Sequence, residues 1–454
     1  MQLFNRYVSP RGLTVFGFEF LLIFGSVAVA ARVQSIDADL TPELWKIAFV
    51  TGLCLVCFYY NDLYDLTVVH SSRELVIRLL QATGSASIII ALLYLAMPSL
   101  ALGHEIFVSS LVTFLIAIVG WRLVFNRFAY APHLEERVLI VGTGPIARMI
   151  AREIQARHDF GYRVVGFVSQ QHEYDGDRAI LGTAEEIPEL VTRLHVDRIV
   201  VGISDRRGQL PTAELLAAKL SGTRVEDATT TYERLAGKIL VDNLKPSWLI
   251  FSDGFVVSRR MRVLKRAMDL VLASVAFVTA LPLMLLTAIA VYLESDGPIL
   301  YSQQRVGENG RLFTVYKFRS MRTDAEEPGT PVWASDDDER VTRVGRVIRK
   351  TRLDELPQLW NVIQGAMSFV GPRPERPYFV EQLATEIPFY QQRHSVKPGV
   401  TGWAQIKYRY GSSIEDATEK LRYDLYYIKH VSLALDLSIL FDTVKVIIFR
   451  RGAK

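Results

Sequence analysis

Cysteine is scarce: the 454-residue chain holds two, Cys54 and Cys57. They form a C-x-x-C inside an apolar run. No second pair exists to complete a zinc site or a disulfide framework, so they read as small membrane-buried residues. A strong charge of one sign is missing too. Lys and Arg total 52 against 48 Asp and Glu, a formal net charge of +4. There is no basic tract interleaved with aromatics and no nucleic-acid-binding motif, so no nucleic-acid partner is expected. The first apolar run is too long for an h-region and lacks a small-x-small cleavage site, so no cleavable signal peptide is expected. Apolar residues are in excess: 50% of the chain is hydrophobic, high for a wholly soluble protein. They are concentrated before Tyr130 and again after Met268.

Four apolar runs come first, Leu13 to Ala31, Leu44 to Tyr60, Leu79 to Met97 and Ile106 to Phe125. Each approaches the roughly 20 residues that cross a bilayer as a helix, the second being the shortest. Isolated polar residues such as Glu19, Gln81 and Ser85 are expected to face neighbouring helices. Arg6 and Arg11 precede the first run, Arg73 and Arg78 separate the second and third, and Arg122, Arg127 and Arg137 end or follow the fourth. The other two loops carry Asp37, Asp39, Glu43 and Glu105. The positive-inside rule then puts the N-terminus, the middle loop and everything after Tyr130 in the cytoplasm of a plasma-membrane protein.

An α/β stretch follows, about Glu135 to Val257. Arg137-Val-Leu-Ile-Val-Gly-Thr-Gly-Pro-Ile-Ala147 reads as a buried strand, a glycine turn and a helix start. Gly142, Gly144 and Ala147 have the G-x-G-x-x-A spacing of nucleotide-binding Rossmann-type turns. Further strands are expected at Tyr162 to Val168 and Arg198 to Gly202. The acid that NAD-binding units place after the second strand is absent, since Ser169-Gln-Gln stands there. That argues against NAD and leaves a regulatory or scaffolding role open beside nucleotide binding. No Tyr-x-x-x-Lys pair supports a dehydratase or epimerase. Lys238 to Gly254 reads as a linker packed on the membrane surface or on a partner domain.

At Arg259 the charge turns positive, with Arg260, Arg262, Lys265 and Arg266 following, and an apolar run spans 267–293 with Pro282 near its middle. A proline inside a helix removes one backbone hydrogen bond and bends it. A helix broken there can enter the bilayer and return on the same face, anchored by its basic collar. A fifth full crossing would instead carry all downstream residues outside.

The densest motifs lie beyond this run. They are Gln304-Arg-Val-Gly307, Lys317-Phe-Arg-Ser-Met321, Gly365-Ala-Met-Ser-Phe-Val-Gly-Pro-Arg-Pro374, Lys397-Pro-Gly-Val-Thr-Gly-Trp-Ala-Gln405, Asp424 and Asp436. At their centre stands Arg352-Leu-Asp-Glu-Leu-Pro-Gln-Leu-Trp-Asn361. Asp354 and Glu355 precede Pro357 and the helically spaced Leu356, Leu359, Trp360 and Ile363. Proline suits a first helical turn and Asp an N-cap, so Asp354 is expected at or near a helix N-terminus. Basic residues flank the acids: Arg340, Arg343, Arg346, Arg349, Lys350 and Arg352 before, Arg373 and Arg376 after. Such charge is what a carboxylate needs in order to attack a phosphate. Pro372 and Pro374 hold Arg373 between two restricted φ angles, which pre-aims its guanidinium.

Together these motifs resemble the bacterial sugar transferase family, the monotopic polyprenyl-phosphate phosphoglycosyl transferases. The likeness is dense from Arg259 to the C-terminus, and the stretch from Gly222 to Gly254 is similar to the branch linked to exopolysaccharide and exosortase systems. The resemblance implies three parts: a membrane helical bundle (1–130), a Rossmann-like α/β domain (131–257) and an α-rich catalytic domain with a re-entrant helix (258–454). It implies transfer of a sugar-1-phosphate, glucose first, from a UDP-sugar to undecaprenyl phosphate, with Asp354 as nucleophile and Mg²⁺ at Asp354 and Glu355. Glu355 stays open between ligating the metal and positioning the acceptor. Lys317, Arg319, Arg352, Arg373, Asp424 and Asp436 are the implied substrate-binding residues. Galactose and N-acetylated sugars, or a non-catalytic membrane scaffold, are the alternatives. A homodimer is compatible with the chain.

Overall fold

The structure, a computed structural model, describes residues 9–34, 43–65, 72–129, 135–169, 180–203, 210–241, 246–325, 338–408 and 413–449, with short pieces at 2–3, 6–7, 244 and 411. The chain divides into two compact units at Leu235/Ala236. The Arg127 side chain, the acidic loop residues Asp37 and Asp39 and the Gln-Gln pair after Ser169 lie outside the described residues.

The first unit opens with α1 (Pro10–Gln34), α2 (Leu44–Tyr60), α3 (Ser72–Ala96) and α4 (His104–Ala129). Among the described residues α1, α3 and α4, with one helix of the second unit, are long and apolar enough to cross a membrane, while the 17-residue α2 is a shorter apolar helix. These helices are apolar on every side. Ile23, Ile47, Phe58, Leu79 and Ile118 pack inward, while Leu21, Leu92 and Ile116 remain exposed, the pattern of a bundle bathed in lipid. One ion pair lies inside it. Arg122 Nε donates to Glu19 Oε1 at 2.6 Å and its Nη2 donates to the Leu63 carbonyl at 2.9 Å. Both side chains are buried, and each charge makes the other tolerable. Ser85 is half-buried and bonds the Ala82 carbonyl. Gln81, expected to face a neighbouring helix, is exposed instead. Ile77 and Ile88, four residues before it and seven after it on the same side of α3, are exposed too, so among the described residues no helix of this bundle covers that face. Cys54 and Cys57 are buried free thiols.

The same unit holds a parallel sheet of β1 (Glu136–Val141), β2 (Tyr162–Val168), β3 (Ile180–Gly182), β4 (Arg198–Val201) and β5 (Arg224–Asp227), in the order β3-β2-β1-β4-β5. Helices α5 (Pro145–Ala156), α6 (Ile187–Leu194), α7 (Thr212–Leu220) and α8 (Ala228–Ala236) connect or follow the strands. This is the doubly wound order in which the turn after β1 faces the strand-order reversal. The short strand β3 is additional to the strands expected from sequence. Gly142 has φ +111°, and a Cβ there would lie 3.2 Å from the Gly202 carbonyl. Gly144 caps α5, and Ala147 backs onto Gly202 so closely that a Cβ on Gly202 would meet Ala147 at 2.9 Å. These small residues therefore set how closely α5 crosses the sheet.

The second unit begins with a segment that packs on its own domain. Ile239 N–H donates to the Arg422 carbonyl at 3.0 Å, and Trp403 Nε1 donates to the Gly237 carbonyl at 2.8 Å. After α9 (Pro246–Phe251) comes α10 (Arg259–Glu294), 36 residues with Pro282 inside it. Ser258 caps it by accepting from Met261 N–H. The antiparallel hairpin β6 (Leu300–Val306) and β7 (Leu312–Phe318) follows, then α11 (Arg343–Lys350), α12 (Gln358–Gln364), β8 (Ser368–Val370), α13 (Pro377–Glu386), β9 (Gly399–Thr401), α14 (Trp403–Lys407), α15 (Ile414–Lys429) and α16 (Leu433–Phe449). Strands β8 and β9 pair in parallel.

One electrostatic network in the first unit has a measurable pH signature. Glu226 of β5 accepts from Arg234 at 2.5 Å and from Arg198, and Arg198 also bonds Glu136 at 2.8 Å. Burial acts to raise the Glu226 carboxyl, but the two guanidinium groups outweigh it and hold the group at about 2. Its folded value is below its ordinary 4.5, so the stabilisation is complete above that value and is lost as pH falls toward about 2. Glu226→Gln should lower the unfolding free energy by about 2 kcal/mol at neutral pH. Denaturant titrations of the full chain in detergent should show the gap between variant and wild type closing below pH 4.5. A gap that is independent of pH would mean the network contributes by packing alone.

Candidate active site

The site is assembled where the β6–β7 hairpin meets α12. Asn361 fixes the two together, its Nδ2 donating to the Thr314 carbonyl at 2.7 Å and its Oδ1 accepting from Tyr316 N–H at 3.2 Å. That side-chain amide satisfies edge groups of β7 and sets the position of Lys317, the next residue but one after Val315, which packs inward. Val362 and Met367 complete the apolar support with Ala273 of α10.

The paired acids do not sit on a long helix. Asp354 and Glu355 lie in a single 3₁₀ turn, Leu353–Glu355, and the chain continues through Leu356 and Pro357 with right-handed helical angles into the seven-residue α12. A helix dipole of that length offers little to an anion. The positive field comes from side chains instead. Arg352 holds a left-handed backbone, φ +60°, at the corner between α11 and this turn, a conformation that costs a residue bearing a Cβ about 1–2 kcal/mol. Strain of this kind persists where the surroundings over-determine a residue, as at functional sites.

Glu355 is the hub. Its Oε1 accepts from Lys317 Nζ at 2.8 Å and from Arg373 Nη2 at 2.7 Å, with Arg352 Nη1 at 3.9 Å. Burial acts to raise the Glu355 carboxyl, but Arg373, Lys317 and Arg352 outweigh it and hold the group well below the usual carboxylate range. Asp354 is treated oppositely. Burial and the adjacent Glu355 charge raise it, against the pull of Lys317, Arg352 and Arg373. Burial also lowers the Lys317 ammonium, which Glu355 partly restores. Asp354 Oδ1 is buried and has no hydrogen-bond partner. An oxygen in that state keeps its lone pairs free for a cation or an electrophile.

Arg373 is aimed by the glycine-proline loops. Gly371 N–H donates to the Thr401 carbonyl at 2.9 Å, and Gly399 N–H donates to the Pro372 carbonyl at 2.9 Å. A Cβ on Gly371 would fall on the Lys397 carbonyl oxygen, and one on Gly402 on that of Gly371. The two glycine motifs are therefore one structure, read from two distant stretches. Behind the loop Arg393, absent from the sequence-based set, donates to the Arg373 carbonyl at 2.9 Å, to Asp424 Oδ2 at 3.0 Å and to Tyr390 Oη at 2.6 Å. Asp424 thus reaches the site through Arg393 and Arg373.

Two expected substrate-binding residues are elsewhere. Arg319 is buried against the C-terminus of α10, donating to the carbonyls of Ser295 at 2.6 Å and Asp296 at 2.9 Å. Strand alternation would put Arg319 on the same face as Lys317, but β7 ends at Phe318 and the chain's exit turns Arg319 away. Asp436 is fully buried and accepts from Lys265 Nζ at 2.6 Å and Tyr427 Oη at 2.8 Å. Lys265 and Tyr427 also bond the Val370 carbonyl, at 3.0 and 3.1 Å. This knot ties α10, α15 and α16 to β8.

Among the described residues no group of three or more His, Cys, Asp or Glu side chains is placed to hold a metal. The donor set nonetheless fits Mg²⁺, which takes one or two carboxylates and completes its shell with water and substrate phosphate. The unpartnered Asp354 oxygen is the available ligand. Gly142, Gly144 and Ala147 belong to the first unit, and Gly142 and Ala147 are engaged in close packing with Gly202.

Comparison with known proteins places these features in a family. The family described as "Bacterial sugar transferase" matches residues 260–450, and the one described as "CoA-binding domain" matches residues 60–207. The chain is 46% identical to a UDP-N-acetylgalactosamine-undecaprenyl-phosphate N-acetylgalactosaminephosphotransferase of Aeromonas hydrophila, over 49% of this chain and 52% of that protein. It thus spans about half the length of that relative. It is 28% identical to a UDP-glucose:undecaprenyl-phosphate glucose-1-phosphate transferase of Xanthomonas campestris pv. campestris, over 100% of this chain and 96% of that one. It is 51% identical to a putative undecaprenyl-phosphate N-acetylgalactosaminyl 1-phosphate transferase of Bacillus subtilis, over 30% of this chain and 74% of that one. The matched family segment carries the acid pair, both of its bound cations and the Arg393 support behind them, and on those grounds the chain belongs to the bacterial sugar transferase family.

Proposed function

We propose that this chain transfers a sugar-1-phosphate, with glucose as the first donor sugar, from a UDP-sugar to undecaprenyl phosphate at the cytoplasmic face of the bacterial inner membrane, initiating exopolysaccharide repeat-unit assembly. The observation that carries the reading is the asymmetry of the acid pair. Glu355 Oε1 is engaged by Lys317 and Arg373, whereas the adjacent Asp354 Oδ1 is buried and unpartnered.

In the first half-reaction an Asp354 oxygen attacks the sugar-bearing β-phosphorus. An aspartyl–phosphorus bond forms, the bond from that phosphorus to the bridging oxygen breaks, and UMP departs with the electron pair. Lys317, Arg373 and Arg352 offset the negative charge gathered on the diphosphate. In the second half-reaction a phosphate oxygen of undecaprenyl phosphate attacks the same phosphorus, and the Asp354 carboxylate is released. Asp354 and Glu355 are the residues that would hold Mg²⁺, which when bound neutralises charge on the phosphates.

The acceptor phosphate is confined to the headgroup plane, and the same unit supplies an anchor there. We assign α10 as a re-entrant helix. Both of its ends are held by this unit. At the start Lys265 bonds Asp436 at 2.6 Å and Arg266 bonds the Val362 carbonyl at 2.6 Å. At the end Glu294 Oε1 accepts from Val344 N–H at 2.8 Å. Lys265 to Glu294 would extend about 44 Å as straight helix, more than a hydrocarbon core. A straight crossing would separate two ends that one domain holds, and Pro282 supplies a bend between them.

Topology is tested with reporters fused after Phe125 and after Lys454, both expected in the cytoplasm. A periplasmic C-terminal reporter would overturn the anchor and the chemistry together. For the reaction, purified protein with a UDP-sugar and no lipid should release about one UMP per site, as a two-step mechanism requires, and leave a phosphosugar on the peptide containing Asp354. Asp354→Asn should abolish the burst, and Asp354→Glu should cost on the order of 100-fold through misplacement of the reacting oxygen. Release of UMP only when lipid is present, with no adduct, would mean direct attack by the acceptor in a ternary complex.

A further inference from the structure

Gln358 lies within the central decapeptide, yet neither the motif nor the packing gives it a task. It is 3% exposed, and its Nε2 is buried without a hydrogen-bond partner. A buried donor left unmade costs about 1–3 kcal/mol, so it is expected to be satisfied by something. Its placement indicates what. Leu356 and Pro357 have right-handed helical angles, and 3₁₀-type bonds run from Leu356 N–H to the Leu353 carbonyl and from Leu359 N–H to the Leu356 carbonyl. The segment from Asp354 to Gln358 is therefore one continuous helical path. Side chains three apart on a path of three residues per turn eclipse, so Gln358 stands over Glu355, with Asp354 a third of a turn to one side. An unsatisfied acceptor, Asp354 Oδ1, and an unsatisfied donor, Gln358 Nε2, thus occur four residues apart on adjoining faces of one short helical path.

We propose that Gln358 is a binding residue for the transferring phosphoryl group: its carboxamide N–H donates to a non-bridging oxygen of the phosphorus that Asp354 attacks. A phosphoryl group meets both open valences at once, since its phosphorus is the electrophile for Asp354 and its oxygens accept from Gln358. Lys317 and Arg373 hold the same group by charge and leave its orientation free. A neutral carboxamide donor of fixed reach adds direction, and it adds no positive charge that would tighten departure of UMP. This assignment rests on the transfer reading for the identity of the donor, but the recognition of a phosphoryl oxygen can be examined apart from turnover.

The test uses the full chain in detergent with Gln358→Met, which keeps length and volume and removes the polar tip, and Gln358→Glu, which keeps the shape and has no N–H. Thermal melting is followed without ligand and with pyrophosphate, and the UMP burst is followed with UDP-glucose, UDP-galactose and their N-acetylated counterparts. Gln358→Met should melt at or above the wild-type temperature, because an orphan donor has been removed. Its pyrophosphate-induced shift should shrink, and its burst rate should fall on the order of 100-fold, as for loss of one donor to a developing oxyanion. Gln358→Glu should lose both the shift and the burst. A Gln358→Met protein that melts lower than wild type would show that the carboxamide has an internal partner, and the proposal would fall. It would also fall if either variant kept a full pyrophosphate shift. If wild type releases no UMP from any donor, the transfer reading fails, and the pyrophosphate shifts still decide the role of Gln358.

Discussion

The catalytic unit depends on a single carboxylate oxygen. Glu355 Oε1 gathers Lys317 from a β-hairpin and Arg373 from a glycine-proline loop. Without that anion, two cations would be buried side by side in a medium of low dielectric and would repel. With it, they are held within hydrogen-bond distance of one point, beside an Asp354 oxygen that none of them covers. The adjacent acids are pushed in opposite directions by this arrangement, Glu355 down and Asp354 up. Neighbouring carboxylates with divergent environments are a common way for one site to divide tasks between identical chemical groups.

Support for this point extends outward in layers. Asn361 binds α12 to the hairpin, and Arg393 binds the Arg373 loop to α15 through Asp424. Lys265, Asp436 and Tyr427 fasten α10 to the strand that leads into the same loop. The contacts that hold α10 and the arginine that reaches Glu355 thus share one short segment, Val370 to Pro374. That connection gives a physical reason for Asp424 and Asp436 to be acids: each is a buried counter-ion to a cation that does mechanical work on the loop. Removal of either would strand a buried charge, which is far more costly than removal of an exposed one.

The apolar parts, the α/β unit and the acid pair among arginines were legible along the chain, because the signals are local. Helical runs of lipid length, a strand-turn-helix with small residues at fixed offsets, and adjacent acids among arginines are each contained within a few dozen residues. The expected strands at Tyr162 and Arg198 are present. Partner choice was not legible. Arg319 stands two residues from Lys317, and both are cations in one motif, yet one caps a helix and the other reaches Glu355. Gln81 and Glu19 are both polar residues in apolar helices, yet only Glu19 has a buried partner, Arg122, more than a hundred residues away.

Sequence by itself determined the presence of a region of long apolar helices, an α/β unit and an acid pair flanked by cations, because hydropathy, periodicity and residue chemistry are properties of short segments. Only the tertiary structure decided which cations face the acids, that Asp424 bonds Arg393, that Asp436 holds Lys265 of α10, and that Asp354 and Gln358 keep unsatisfied atoms. All but the last are pairings between distant stretches, and the last is the absence of one. Such pairings depend on where carbonyls and carboxylates end up after packing, and a one-dimensional pattern of residue types does not encode that directly.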